Sequence, residues 1–319
     1  YDRFKIEGAI NLPLSDKVAL RASAIGDFHD DIAKNRTGSD LWNRKEYGGR
    51  LQLLLKPTDE ISFLLNVRGG KRRNTGTPYD HRVATPTGIG GSGEFDLSPG
   101  AVDLFGFAEP DNDPFTVSID DVSTSRVKTW GASGTLAWEL GDVTLHSITD
   151  YSKIDVFFRE DSDVQSGEFF HFQGAGKQSQ FSQELRLSEN TGALRWTIGG
   201  FYLRLRGDFD QRGLITDLGY GVDEQLALYA VDTDSYSVFG QVEYDLSDTV
   251  TVTGGLRWIR DKKSQVYENF FLIDGVPDKI PFGASGSPNL VDFAGKDAQS
   301  IYAARAQVNF KPNDDVLVY

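Results

Sequence analysis

The side chains best suited to chemistry in this chain are aromatic and basic. Phe169-Phe170-His171-Phe172 forms one run, and Tyr79, Phe95, Phe105 and Phe107 share a long polar stretch with Lys71, Arg72, Arg73 and Arg82. Rings beside cations suit a planar, anionic, catecholate-like ligand through stacking and cation–π contact. Tyr79, Arg82, Phe105, Phe107, Phe170, His171 and Phe172 are therefore candidate ligand-binding residues. The same rings would equally serve to pack loops against one another. Arg204 and Arg206, at the end of an alternating segment, join the candidates as ligand contacts or as partners of surface anions.

Other chemistries find less support. The only histidines are His29, His81, His146 and His171, and no two stand at the His-x-x-x-His spacing that converges on a metal. His29-Asp30-Asp31 is the best of these for a metal, and no metal site or cofactor is expected. Asp111-Asn-Asp-Pro114 and Glu160-Asp161-Ser-Asp163 offer hard oxygens for calcium but lack the ligand spacing of an EF-hand, so they read as solvated acidic loops. Gly88-Ile-Gly-Gly-Ser-Gly93 follows no apolar strand and opens no helix, so it reads as a flexible loop rather than a phosphate cradle. There is no Gly-x-Ser-x-Gly elbow, and without cysteine there is no thiol nucleophile, thiolate metal site or disulfide. The chain does not read as an enzyme.

Charge narrows the partners. Thirty-three Lys and Arg against 47 Asp and Glu give 319 residues a net charge of −14, which argues against a nucleic-acid backbone as ligand. Apolar runs such as Leu53-Leu54-Leu55 fall far short of the roughly 20 residues of a spanning helix. A membrane, if crossed, is crossed by strands. No methionine occurs and no leader pattern opens the chain, so Tyr1 reads as an internal start.

The elements that must position the candidates are strands. Tyr236, Val238, Gly240, Val242 and Tyr244 alternate with Ser237, Phe239, Gln241 and Glu243. Val250, Val252, Gly254, Leu256 and Trp258 alternate with Thr251, Thr253, Gly255 and Arg257, and Tyr302–Phe310 repeats the pattern. Similar splits occur in 4–12, 18–27, 47–56 and 61–68, less cleanly in 127–155 and 178–206. About eleven strands, with a further one starting at Val316, are expected. Charges and amides on every second position describe a strand between lipid and an aqueous lumen, and aromatic residues near segment ends suit membrane interfaces. The joins alternate too. Gly141-Asp142 and Ser247-Asp248 are tight, whereas the polar stretches 30–46, 71–126, 156–177, 208–233 and 264–297 run to between 17 and 56 residues. Short joins on one side and long joins on the other describe a membrane barrel. Arg204 and Arg206 then become candidates for lipopolysaccharide as well as ligand.

Phe181-Ser-Gln-Glu-Leu-Arg-Leu-Ser188, Leu194-Arg-Trp-Thr-Ile-Gly-Gly-Phe-Tyr202, and Tyr236–Leu246 running into Val250–Trp258 resemble the barrel domain of TonB-dependent outer-membrane receptors. The resemblance implies an all-β fold, an antiparallel transmembrane β-barrel in which residues 1–319 supply eleven to twelve of about 22 strands. The N-terminal plug and the C-terminal strands are expected outside this sequence. It implies a bacterial outer-membrane receptor that binds a scarce nutrient, a ferric siderophore by default, at extracellular loops. Import would be coupled through the plug to TonB, with outer-membrane lipid and lipopolysaccharide as surroundings. Two alternatives stand beside it: a passive porin-like channel, with a long loop folded into the lumen, and a soluble β-sandwich binding module, with its apolar faces joined in one dry core.

Overall fold

The computed structural model describes residues 2–76, 79, 84–85, 94–95, 102, 108, 113–120, 123–215, 224–272, 280–281, 293–313 and 315–319. Among the described residues there is no helix, and one antiparallel sheet dominates. Its strands are β1 (Arg3–Ser15), β2 (Val18–His29), β3 (Arg44–Leu55), β4 (Ile61–Thr75), β5 (Thr124–Leu140) and β6 (Val143–Asp161). They continue with β7 (Phe170–Glu189), β8 (Leu194–Ile215), β9 (Glu224–Ser247), β10 (Val250–Leu272), β11 (Phe293–Asn313) and β12 (Val316–Val318). Each pairs with the next in chain order, an up-and-down meander.

Several strands run beyond the expected limits. β6 continues to Asp161 and β7 begins at Phe170, so the stretch 156–177 is mostly hairpin. β8 and β9 likewise extend to Ile215 and from Glu224, and β10 and β11 to Leu272 and from Phe293. Beyond a membrane both faces of a strand are wet, so the apolar alternation that marks a strand fades while its backbone ladder continues.

Within the ladder, paired residues share a face. Ile198 opposes Gly240, which opposes Leu256, and Val238 opposes Trp258, which opposes Tyr302. This apolar face is bare: Leu256 is 72% exposed and Ile198 56%. A β-sandwich would bury these side chains against a second sheet, and the soluble alternative fails on that point. The imperfect alternation of β6 and β7 also resolves. Ser147 and Thr149 fall on the apolar face opposite Leu185 and Gln183, and the Gln183 side chain bonds both hydroxyls, at 3.0 Å and 2.5 Å. Polar groups facing hydrocarbon persist where they satisfy one another.

Two rows of rings bound the apolar band. Trp138 and Trp130, Tyr244 and Tyr236, and Phe310 and Tyr302 each stand eight residues apart on one strand face. At about 3.4 Å per residue that is about 27 Å along the strand, and a tilt of about 40° brings it near the apolar height of an outer-membrane barrel. In the row nearer the long loops, Trp130 meets Tyr151 at 5.4 Å, and Tyr202 meets Tyr236 at 4.9 Å.

The opposite face is polar. Arg68 pairs with Asp150 at 2.8 Å and Asn66 donates to Ser133 at 3.1 Å. Near the tight turns Arg195 grips Asp245 through two bonds, at 2.5 Å and 2.7 Å. A groove of about 780 Å³, lined by Ser23, Arg50, Arg68 and Gln180 among others, opens on this face.

Among the described residues the buried apolar cluster lies in the loops rather than under the sheet. Ala33, Leu41, Val117 and Ile119 pack together with Trp42 and Val164 against them. Asn35 binds this cluster: its side-chain amide donates to the Ile119 carbonyl at 3.0 Å and accepts from the Ile119 N–H at 3.1 Å. Trp42 and Val164 hold left-handed backbone, at φ 70° and 59°. A β-branched residue there is strained, and the packing over-determines it.

Candidate ligand-binding site

At the long-loop end of the polar face the strands carry a row of rings. Phe209 opposes Tyr229, Tyr229 opposes Tyr267, and Tyr267 opposes Phe293, so four neighbouring strands, β8 to β11, present one aromatic surface. Phe209 and Tyr229 stack at 4.5 Å and 11°, and Tyr267 and Phe293 at 5.7 Å and 24°. Glycine makes room for this. A Cβ at Gly176 or at Gly207 would meet the Phe209 ring at 2.7 Å, so the ring lies over bare backbone. On the neighbouring hairpin Phe158 and Phe172 meet at 5.6 Å on the same face, over Gly174. Such a surface suits planar, aromatic ligand groups, which stack without demanding a particular hydrogen-bond pattern.

Alternation divides the Phe169–Phe172 run. Phe170 and Phe172 share the polar face with Phe158, and His171 projects to the other side, where it is buried. There His171 Nε2 stands 3.0 Å from Asp120 Oδ1, and an Arg159 guanidinium nitrogen 3.2 Å from His171 Nδ1. Arginine only donates, so Nδ1 accepts and the ring proton sits on Nε2, donated to Asp120. Asp161 completes the group. Its carboxyl accepts the Val164 N–H at 2.7 Å and the Asp120 N–H at 3.2 Å. Burial, then the charge of Asp163, pushes the Asp161 carboxyl up to about 8, so it is protonated at neutral pH.

One ligand atom each from Asp120, Asp161 and His171 falls within 4.8 Å of the others, a convergence that local spacing does not reveal. The residues suit a proton-holding clasp better than a cation. The histidine lone pair faces arginine, and one carboxyl is neutral. The clasp ties the 113–120 segment to the β6–β7 hairpin and so fixes the loop layer above the aromatic row.

The remaining candidates are dispersed. Arg204 and Arg206 belong to the face of Tyr202 and Ile198, beyond the row of rings, and so turn away from the aromatic surface. Arg206 is engaged by Asp232 at 3.1 Å and Asp234 at 2.8 Å, and Asp234 also accepts from the Tyr202 hydroxyl at 2.7 Å. Tyr79 is exposed. Arg82, Phe105 and Phe107 lie outside the described residues. Phe158, Phe209, Tyr229, Tyr267 and Phe293 were not among the candidates, because only the ladder register brings them together.

Comparisons with known proteins match this architecture. The family described as TonB dependent receptor-like, beta-barrel, matches residues 62–319. Among solved structures, the ferric yersiniabactin uptake receptor FyuA from Yersinia pestis superposes with a TM-score of 0.70 at 15% identity, covering 98% of this chain and 43% of its own. The siderophore receptor PiuA from Acinetobacter baumannii gives 0.62 at 15% identity, over 98% of this chain and 45% of its own. The ferric-catecholate import receptor Fiu from E. coli K12, in its open form, gives 0.58 at 12% identity, over 98% and 51%. The chain thus spans about half or less of the length of these structures. No curated protein matches it. In this fold the apolar face meets lipid, the polar face lines the lumen, and the long loops are extracellular. The ring-bounded band, the ordered meander and the match over most of its length converge, and the chain belongs to the TonB-dependent receptor family, as β-barrel wall of the bacterial outer membrane.

Proposed function

We propose that this chain supplies the loop-bearing wall of an active-transport receptor that captures a scarce nutrient, a ferric siderophore by preference, for import with TonB coupling. The observation that carries the reading is the aromatic surface of Phe209, Tyr229, Tyr267 and Phe293 on the lumen face at the long-loop end. A ligand arriving from outside would meet it before the polar wall below. Rings in this position suit the planar aromatic groups of catecholate and phenolate chelators. The descriptions of FyuA, PiuA and Fiu as ferric-yersiniabactin, siderophore and ferric-catecholate receptors support a chelated-iron cargo. TonB coupling rests on the family alone.

The mechanism on this reading is binding and gated passage without bond-making or bond-breaking, so the chain acts as a receptor and not as an enzyme. Titration of the intact, detergent-purified protein with ferric catecholate, ferric hydroxamate, haem and a maltooligosaccharide tests it, read by tryptophan quenching. Saturable binding of the catecholate in preference to the others is the expected result. A passive porin-like channel would give no saturable binding to any of them.

A further inference from the structure

The clasp and part of the ring surface occupy opposite faces of one strand. On β7, Phe170 and Phe172 face the lumen while His171 between them turns outward. Whatever fixes the course of β7 there therefore also fixes the rings. Side-chain walls do little of this. Phe172 opposes Gly213 of β8, and a Cβ at Gly213 would stand 3.0 Å from the Phe170 ring. Phe158, which meets Phe172 at 5.6 Å, lies over Gly174. The rings thus rest on bare backbone, and their placement follows the backbone of the β6–β7 hairpin.

That backbone is gripped first by its own hairpin. The Asp163 carboxylate accepts the Phe169 and Phe170 N–H groups, at 3.2 Å and 2.5 Å, and the Ser162 N–H donates to the Phe170 carbonyl at 3.1 Å. His171 adds a tie to a distant segment. Asp120 stands 51 residues away in sequence, and its neighbour Ile119 is buried in the loop core. His171 is 6% exposed and Asp161 1%. Removing one member of such a group strands buried polar atoms of the others, so the clasp is made or broken as a whole. An element with two discrete states is what physically couples two sites.

We propose that His171 is a positioning residue for the aromatic surface: by locking β7 to Asp120 it holds Phe172 against Phe158, with Phe170 beside them, at the long-loop edge of that surface. His171 is buried on the far side of the strand and acts on a ligand only through the rings. Asp120, on the same far side, bears on affinity by the same route. The proposal rests on the reading of the rings as the cargo site and adds the residues that set their geometry.

Two readouts on the intact, detergent-purified protein test it: ferric-catecholate affinity, and the ¹⁹F resonance of 4-fluorophenylalanine incorporated in place of Phe172. His171→Leu and Asp120→Ala should each weaken binding by about 3-fold to 10-fold, the worth of one displaced aromatic contact, and should shift or broaden the resonance. His171→Gln offers an amide N–H to Asp120 and an oxygen to Arg159, and should restore both readouts to wild type. In a Phe158→Ala/Phe172→Ala background, His171→Leu should cost nothing further, because the rings through which it acts are gone. Heat-modifiable mobility reports whether each variant is a folded barrel. A resonance unmoved in folded His171→Leu and Asp120→Ala, a loss that persists without the rings, or a failure of His171→Gln to restore binding would each overturn the assignment. Absence of catecholate binding by the wild type would instead overturn the cargo reading, and the fluorine resonance alone would then decide whether His171 places the ring.

Discussion

Asp161 offers the sharpest test of the loop layer. With the loop closed its carboxyl is buried, accepts two backbone N–H bonds and is pushed up to about 8 by burial and then by Asp163. With the loop open it returns to the ordinary value of 3.8. Between these limits the closed form holds one proton more than the open form. Closure therefore weakens as pH rises from about 4 to about 8 and levels off above, at no more than about 1.4 kcal/mol per pH unit. Moving from pH 7.5 to pH 5.5 should stabilise closure by up to about 2.7 kcal/mol, about 100-fold in the opening equilibrium. Asp161→Asn keeps an oxygen for the Val164 N–H and an amide to face Asp120, but has no proton to release. Hydrogen exchange of peptides covering 113–123 and 161–171, normalised for the intrinsic pH dependence of exchange, reads the equilibrium. The wild type should gain protection at the lower pH and Asp161→Asn should not. Wild-type protection that stays flat or falls on acidification would refute the assignment of a neutral Asp161.

Other outcomes follow from the two faces. Ile198→Arg, placed midway between the rungs of Leu194 and Tyr202 on the lipid face, should destabilise the barrel by about 2–4 kcal/mol, seen as a lower urea midpoint for loss of heat-modifiable mobility. Phe209→Ala combined with Tyr229→Ala should weaken ferric-catecholate binding by about 10-fold to 100-fold, the worth of two stacked rings, with an unchanged unfolding midpoint. Gly176→Val should reproduce much of that loss, because its Cβ would sit 2.7 Å from the Phe209 ring. Arg204→Ala and Arg206→Ala should leave siderophore binding within about twofold of wild type, since both side chains face away from the aromatic surface.

The strands within the membrane were legible because lipid and lumen impose opposite chemistry on alternate residues. Tyr236–Tyr244 and Val250–Trp258 announce themselves for that reason. Outside the membrane the contrast disappears, and so no alternation in the sequence marks β6 as far as Asp161 or β7 from Phe170. The aromatic surface needed register rather than pattern. Phe209, Tyr229, Tyr267 and Phe293 are separated in sequence by whole strands and loops, and only the ladder aligns them. Phe170 and Phe172 stand on one face, and the two-residue period sends His171 between them to the opposite one. The clasp was beyond local reading, because Asp120 reaches Asp161 and His171 across 41 and 51 residues.

The central claim is energised import of a chelated nutrient, and its most direct test is accumulation of radiolabelled ferric catecholate by cells producing the intact protein, with and without TonB. Uptake that is saturable, requires TonB and collapses with a protonophore is the predicted result. Uptake that rises linearly with concentration and ignores TonB would contradict the account and identify a passive channel.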